Sequence, residues 1–245
     1  MRQIFPAAPD DDVDVRALYA SDERARPDRP WVTMNMISSV DGGISIDGVS
    51  GGLGGPGDKA VFSALRGMAD VILVASGTVI AENYRKPQTP ESLQTVRAAS
   101  GQDPIPRIAI VSNSLSIAPD HRVFDSDHRP LMITHRGADA ERRQALAEVA
   151  DLVDAGDDAV DLRSALDALY ALGARTVLCE GGPSLNGALV AEDLVDEVCL
   201  SFSPILLGGD GPRITRGPEL PGALTLSLQR VLQDENFLFF RYVRR

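Results

Sequence analysis

Short apolar runs rich in β-branched residues alternate with longer runs whose apolar residues recur at helical spacing, and this alternation restricts the fold most. The predicted strands are 31–40, 71–76, 107–112 and 130–135. The predicted helices are 58–70, 141–150 and 161–173. After residue 195 only strand-like runs follow. This order predicts an α/β fold with a mixed, mainly parallel central sheet flanked by helices, and with antiparallel C-terminal strands.

Two connections between these elements add detail. The first strand ends at Asp41-Gly42-Gly43, and the run 43–48 predicts a second strand paired with it through a hairpin. The polar segment 83–106 predicts a long loop with one short helix, and such a loop in a compact domain is more often functional than idle. No repeat or linker divides the chain, so we expect an N-terminal extension over 1–29 and a single domain over 30–245.

Charge and composition exclude several classes of function. The chain has 35 acidic and 24 basic residues, which gives a net charge of −11 and disfavours nucleic acid or an anionic membrane as partner. Any bound phosphate must therefore be held by local groups. No apolar run has the length of a signal peptide core or a membrane span, so we expect a cytoplasmic protein. Cys179 and Cys199 lie in strand-like runs and are expected to be reduced and buried.

The run "TVLCEGGPSLNGALV" (176–190) passes from a strand through Glu180 and two glycines to a helix start. Glycines permit close approach of a ligand to the main chain, and the N–H groups of a helix start favour a phosphate. A tight strand-to-helix turn without a ligand is the alternative. Ala188 and Leu189 stand where a P-loop needs Lys and Ser or Thr, which excludes that class of nucleotide site.

Two further segments could serve a ligand or form ordinary connections. Six glycines lie between residues 48 and 57, directly before the helix that carries Arg66. They fit either a flexible lip over a flat ligand or a mobile surface connection. Gly77 and Thr78 end a buried strand and fit either a ligand contact or a capped turn.

Four runs in this order resemble the riboflavin-biosynthesis pyrimidine reductases, which form the C-terminal domain of a bifunctional deaminase-reductase and have the dihydrofolate-reductase-like fold. The runs are "MNMISSVDGGIS", "GPGDKAVFSALRGMADVILVASGTVIAEN", "LCEGGPSLNGALV" and "LVDEVCLSFSPILLGG", and the resemblance covers about residues 30–243. The deaminase half needs H-x-E and P-C-x-x-C to hold zinc. None of His121, His128 and His135 precedes such a Glu and the cysteines are twenty apart, so a stand-alone reductase without a metal is expected.

The resemblance implies the chemistry. It implies NADPH-dependent reduction of 5-amino-6-(5-phosphoribosylamino)uracil to the ribitylamino product, with hydride transfer to C1 of the ring-opened sugar. It also implies a homodimer. The cofactor positions that it implies are Ile37, Gly52, Thr78, Glu82, Asn113, Gly181, Gly182, Pro183, Ser184, Leu185, Asn186 and Gly187. The substrate positions are Ser50, Arg66 and Glu180.

Four charged residues are also expected to act on substrate or proton. A guanidinium such as that of Arg66 can bind a phosphorylated sugar through paired hydrogen bonds, although it could also be an ordinary surface arginine. Arg85 is a second candidate cation, but the chain departs from the Asp-Pro of the family nearby, where it has Glu82-Asn83-Tyr84. Asp41 could hydrogen-bond the pyrimidine or relay a proton as catalytic residue, or serve as a turn residue before two glycines. Glu180 is the other expected catalytic group.

Two other functions share these features. A dihydrofolate or dihydropteridine reductase would have the same fold, the same cofactor and an acid at Asp41. A non-catalytic, regulatory NADPH-binding protein is the second alternative, and loss of the substrate arginine would be its sign in the sequence. Arg66 and Glu180 are both present, which favours the pyrimidine reductase.

Overall fold

The computed structural model describes residues 1–6, 12–126 and 128–245. Residues 7–11 of the expected N-terminal extension lie outside this set. The chain divides into two compact units, which are described separately. Unit 1 comprises residues 1–24, 31–68 and 179–245, and unit 2 comprises residues 25–30 and 69–178.

Unit 1 is built on five neighbouring strands, in the order β1-β9-β10-β8-β2. Its elements are β1 (Arg2–Phe5), α1 (Val15–Ala20), β2 (Trp31–Ser39), α2 (Pro56–Met68), α7 (Pro183–Ala191), β8 (Glu197–Ser203), β9 (Leu226–Asp234) and β10 (Phe237–Arg244). Strands β2 and β8 are parallel, whereas β1, β9, β10 and β8 pair antiparallel. The expected antiparallel C-terminal strands are thus confirmed.

Unit 2 contains the strands β7-β3-β4-β5-β6 in that order. Its elements are β3 (Val71–Ala75), α3 (Ser76–Ala81), α4 (Glu91–Ala99), β4 (Arg107–Val111), β5 (Leu131–Thr134), α5 (Ala140–Ala147), β6 (Asp151–Asp154), α6 (Leu162–Ala171) and β7 (Thr176–Cys179). The successive pairs from β3 to β6 are parallel. Side chains of β3, β4 and β5 form a buried apolar core, on which Leu152 of β6 packs, and this explains the continuous apolar runs of these three strands. The α/β prediction and the short helix within 83–106 are confirmed.

The predicted second strand at 43–48 was wrong. Only an isolated bridge joins Ile46 to Val49, and their N–H and carbonyl groups bond to each other across Asp47 and Gly48. Both turn residues have positive φ, 52° for Asp47 and 85° for Gly48. An Asp-Gly pair favours such a two-residue turn, so the chain reverses there instead of forming a strand with β2.

A buried cluster of charged residues holds the N-terminal part of unit 1 to its sheet. Both oxygens of Glu197 on β8 accept hydrogen bonds from Arg24 and from Arg241 on β10, at 2.8–3.1 Å. Trp31 Nε1 donates to the same carboxylate at 3.2 Å. Burial would raise the pKa of Glu197, but Arg24 and Arg241 outweigh it and lower that pKa. The cluster fixes residues preceding β2 within unit 1.

Within the described residues, none of the helices is long and apolar enough to cross a membrane.

Candidate active site

The expected phosphate loop lies in unit 1, between the end of β7 and the start of α7. Gly181 has a φ of +88°, and Gly182 is the N-cap residue, followed by Pro183 at the first helical position. The first helical hydrogen bond runs from Asn186 N to Gly182 O at 2.9 Å. The N–H groups of Ser184 and Leu185 precede this bond, so the helix itself provides no acceptor for them. This arrangement suits an anion, and hence the diphosphate of a nucleotide cofactor.

The loop lies against strand β2. A Cβ on Gly181 would be 3.4 Å from the sulfur of Met36, which is the neighbour of Ile37 on this strand. Glycine is favoured at position 181 by its positive φ. Ile37 itself is half-buried and is paired with Ser201 of β8. The fold therefore brings the loop to the part of β2 that carries Ile37.

Arg66 and Glu180 form a bidentate ion pair within unit 1. Arg66 Nε and Nη2 donate to the two carboxylate oxygens of Glu180, each at 2.7 Å. The side chain of Glu180 is only 2% exposed and that of Arg66 is 23% exposed. Arg66 also lies over the ring of Phe62, 4.2 Å from its centroid. Two of the residues expected to bind substrate are thus joined to each other.

Asp41 ties a loop to the end of β2. Its carboxylate accepts a hydrogen bond from Ser39 Oγ at 2.5 Å, and further bonds from the N–H groups of Gly208 at 2.6 Å and Leu207 at 3.1 Å. These bonds, that of Ser39 foremost, lower the pKa of Asp41 to about 2. At neutral pH the group is therefore ionised, so it accepts hydrogen bonds and has no proton to donate.

The glycine-rich segment 48–57 ends by packing on the sheet. A Cβ on Gly57 would lie 2.9 Å from the ring of Phe239 and within 2.9 Å of the side chain of Asp234, so only glycine fits there. Gly52 is exposed and lies near Ile46, and Ser50 is half-buried. The last glycines of this segment thus have a packing role.

The remaining expected site residues lie in unit 2, at the carboxyl ends of its strands. Thr78 and Glu82 lie on and directly after α3, and Glu82 N donates to Thr78 O. Asn113 follows β4, which is paired with β3, so it lies at the same edge as Thr78. Its Oδ1 accepts from Val160 N at 2.8 Å. Arg85 is exposed. Parallel sheets bind ligands at this edge.

The sequence did not indicate which partners these residues have. Asp41 bonds to Leu207 and Gly208, which lie 166 and 167 positions away. The segment 212–217 was not expected at the site, yet it contacts the start of α7, where Arg216 N donates a hydrogen bond to Pro183 O. The one sequence signal was a pair of arginines, Arg213 and Arg216, in a glycine-rich stretch of an acidic chain.

Comparison with known proteins identifies relatives along most of the chain. The family model of the RibD C-terminal domain matches residues 30–239. The 2,5-diamino-6-ribosylamino-4(3H)-pyrimidinone 5′-phosphate reductase of Archaeoglobus fulgidus is 30% identical over 191 residues, which cover 77% of this chain and 87% of that protein. The protein of the same name from Methanothermobacter thermautotrophicus is 31% identical over 207 residues, covering 82% of this chain and 92% of that protein.

A solved structure agrees in fold. The crystal structure of a pyrimidine reductase-like protein from Corynebacterium diphtheriae matches with a TM-score of 0.84 at 26% identity, covering 95% of this chain and 99% of that one. The predicted fold and the predicted resemblance to pyrimidine reductases are confirmed.

Proposed function

The chain belongs to the RibD C-terminal domain family, and we propose that it is a riboflavin-biosynthesis reductase that converts the ribosyl group of a phosphorylated ribosylaminopyrimidine to a ribityl group. The observation that carries the proposal is the Arg66–Glu180 pair, placed directly before the glycine turn and the start of α7. A cation fixed by a carboxylate suits a phosphorylated substrate, and the adjacent helix start suits a cofactor diphosphate.

Reductases of this family use a nicotinamide cofactor, and we propose NADPH here. When bound, this cofactor would supply a hydride for C1 of the ring-opened imine, whose nitrogen would gain a proton, and NADP⁺ would be the other product. Loop 181–187 and Ile37 would hold the cofactor from unit 1, and we propose Gly52, Thr78, Glu82 and Asn113 as further contacts. Ser50, Arg66 and Glu180 would bind the substrate, and Arg85 is proposed as an additional cation.

Of the two expected catalytic residues, Glu180 fits the role better. Its carboxylate is held by Arg66 at the start of the loop, so it can orient polar groups of the substrate beside the cofactor. Asp41 is ionised and engaged by Ser39, Leu207 and Gly208. We therefore assign Asp41 the task of holding the loop after β8 and not that of donating a proton.

An activity assay tests the function. We expect the protein to oxidise NADPH with 5-amino-6-(5-phosphoribosylamino)uracil. The 2,5-diaminopyrimidinone for which the two archaeal relatives are named carries the same sugar phosphate, and it is the direct comparison substrate. Dihydrofolate should be at least about a hundred-fold poorer in kcat/KM, because it has no sugar phosphate for Arg66. A preference for dihydrofolate would contradict the proposal and would favour a folate reductase instead. Inactivity with all three substrates would favour a non-catalytic binding protein.

A titration with NADPH and NADH tests the choice of cofactor. Equal affinity for the two would contradict it.

We also propose that the protein forms a homodimer through the face of β8 and β10 that carries Phe202, Phe240 and Tyr242. Phe202 contacts Phe240 in a T-shaped arrangement with centroids 5.5 Å apart, Phe240 stacks on Tyr242 at 5.9 Å, and all three rings are half-exposed. A contiguous aromatic patch on a monomer surface usually marks an interface. Light scattering at micromolar concentration is expected to give the mass of a dimer, and Tyr242→Glu should shift it toward the monomer. A monomeric wild-type protein would contradict this.

A cytoplasmic location is proposed as well, consistent with two free buried thiols, and cell fractionation tests it.

A further inference from the structure

Residues 212–217 (Pro-Arg-Ile-Thr-Arg-Gly), here termed the covering segment, lie directly on the first turns of α7. Arg216 N donates to Pro183 O at 2.8 Å. Asn186 Nδ2 donates to Ile214 O, also at 2.8 Å. A Cβ on Gly187 would come within 2.1 Å of Arg216 O, so only glycine permits this approach. Positions 183, 186 and 187 of the expected cofactor loop thus contact the covering segment.

Asn186 uses both ends of its amide inside the protein. It is completely buried, and its Oδ1 accepts a hydrogen bond from the thiol of Cys179 at 3.3 Å. Its Nδ2 holds Ile214 O. The side chain therefore links Cys179 to the covering segment within unit 1.

The covering segment also carries two exposed arginines, Arg213 and Arg216. Arg24, Arg66, Arg230 and Arg241 each form an ion pair with Asp22, Glu180 or Glu197. Among the residues that the structure describes, no carboxylate forms an ion pair with Arg213 or Arg216, and both are exposed. In a chain with a net charge of −11, unpaired cations beside a phosphate loop are well suited to an anionic ligand.

We propose that Asn186 is a positioning residue that holds the covering segment beside the cofactor, and that Arg216 of this segment binds a cofactor phosphate. Arg216 is chosen because its own main chain is fixed on α7, with its N–H on Pro183 and its carbonyl against Gly187. The inference rests on the proposed function, since it takes residues 181–187 as the cofactor loop.

Titration of NADPH and NADH against Arg216→Ala tests the role of the guanidinium. The Kd for NADPH is expected to rise about ten-fold through loss of a charge-assisted contact. Arg16→Ala, which removes an exposed charge from α1 of the same unit, should change it less than two-fold. A rise for both cofactors assigns Arg216 to the diphosphate, and a rise for NADPH alone assigns it to the 2′-phosphate.

Two results would overturn the assignment while leaving the proposed function intact. One is an Arg216→Ala protein that binds NADPH like the Arg16→Ala control. The other is an Arg216→Ala protein in which only the KM for the phosphorylated pyrimidine rises. A wild-type protein that binds neither nicotinamide cofactor would overturn the proposed function and this inference together.

Tryptic cleavage after Arg213 and Arg216 reports on the positioning role. Asn186→Asp keeps the shape of the side chain but has no donor for Ile214 O, so cleavage should be about ten-fold faster and NADPH binding weaker. The far-ultraviolet circular dichroism should stay that of the wild type. In the wild-type protein, saturating NADPH should slow the same cleavage, which tests the idea even where Asn186→Asp does not fold. Cleavage unaffected by NADPH would contradict the inference.

Discussion

Arg66→Ala is expected to lower kcat/KM for the phosphorylated pyrimidine by about a hundred-fold or more, while the Kd for NADPH stays near that of the wild type. With Arg66 bound to the substrate phosphate as proposed, the substitution removes a charge-assisted contact worth about 1.5–3 kcal/mol. It also removes the guanidinium that binds both oxygens of Glu180, a carboxylate whose side chain is 2% exposed. The carboxylate of Glu180, no longer paired, would then repel the substrate phosphate, so its effect on kcat/KM adds to the loss of the contact.

Variants of both partners separate these effects. Glu180→Gln should lower kcat more than it changes the Kd for NADPH, and Arg66→Ala/Glu180→Gln should lose less than the sum of the single losses, since the carboxylate is then absent. Lys59→Ala removes an exposed charge from the same helix and should stay within about two-fold of the wild type. An Arg66→Ala protein that loses NADPH binding but keeps its substrate affinity would show that the substrate and cofactor roles are assigned wrongly.

Glu197→Gln is expected to reduce the free energy of unfolding by about 3 kcal/mol, because it removes a buried carboxylate that both Arg24 and Arg241 bind and leaves these two arginines with Asp22. The midpoint of chemical denaturation measures this. The control variant Asp157→Ala breaks the ion pair between Asp157 and Arg136, whose side chains are 80% and 65% exposed, respectively. It should reduce the free energy of unfolding by only about 0–1 kcal/mol. Equal midpoints for the two variants would contradict a stabilising role of the buried cluster.

The buried cluster around Glu197 also determines the direction in which the stability of the protein changes with pH. The pKa of Glu197 in the folded protein lies below its ordinary value of about 4.3. Its contribution to stability is therefore complete above that value and is lost as the pH falls through the folded pKa. The stability difference between the wild type and Glu197→Gln should accordingly narrow in acid.

Local patterns predicted most of the elements. Strands such as Val71–Ala75 and Arg107–Val111 are buried on both faces, so their apolar runs are continuous and unambiguous. Strand β6 (Asp151–Asp154) was missed because it has only two apolar residues between two aspartates. Helix α1 was missed although Asp14 caps it by accepting from Arg16 N and Ala17 N, because it has only six residues.

The contacts between the expected site residues join positions that are far apart in the chain, so no local sequence pattern predicts them. Arg66 and Glu180 were both expected at the site from the family resemblance, but their mutual bond spans 114 positions of the chain. Likewise, Asn186 and Gly187 were expected to touch the cofactor, and their packing on residues 214–216 could be known only from the fold. Whether residues 1–29 act as an extension of a single domain stays a prediction.

Transfer of deuterium from NADPH that carries deuterium at both C4 positions of the nicotinamide tests the central claim most directly. With 5-amino-6-(5-phosphoribosylamino)uracil as substrate, mass spectrometry of the product should show a ribityl chain with a single deuterium at C1 and an equivalent amount of NADP⁺. That result would establish reduction of the sugar by hydride transfer from the cofactor. An unlabelled product, or no consumption of NADPH under conditions where the protein is folded, would contradict the account.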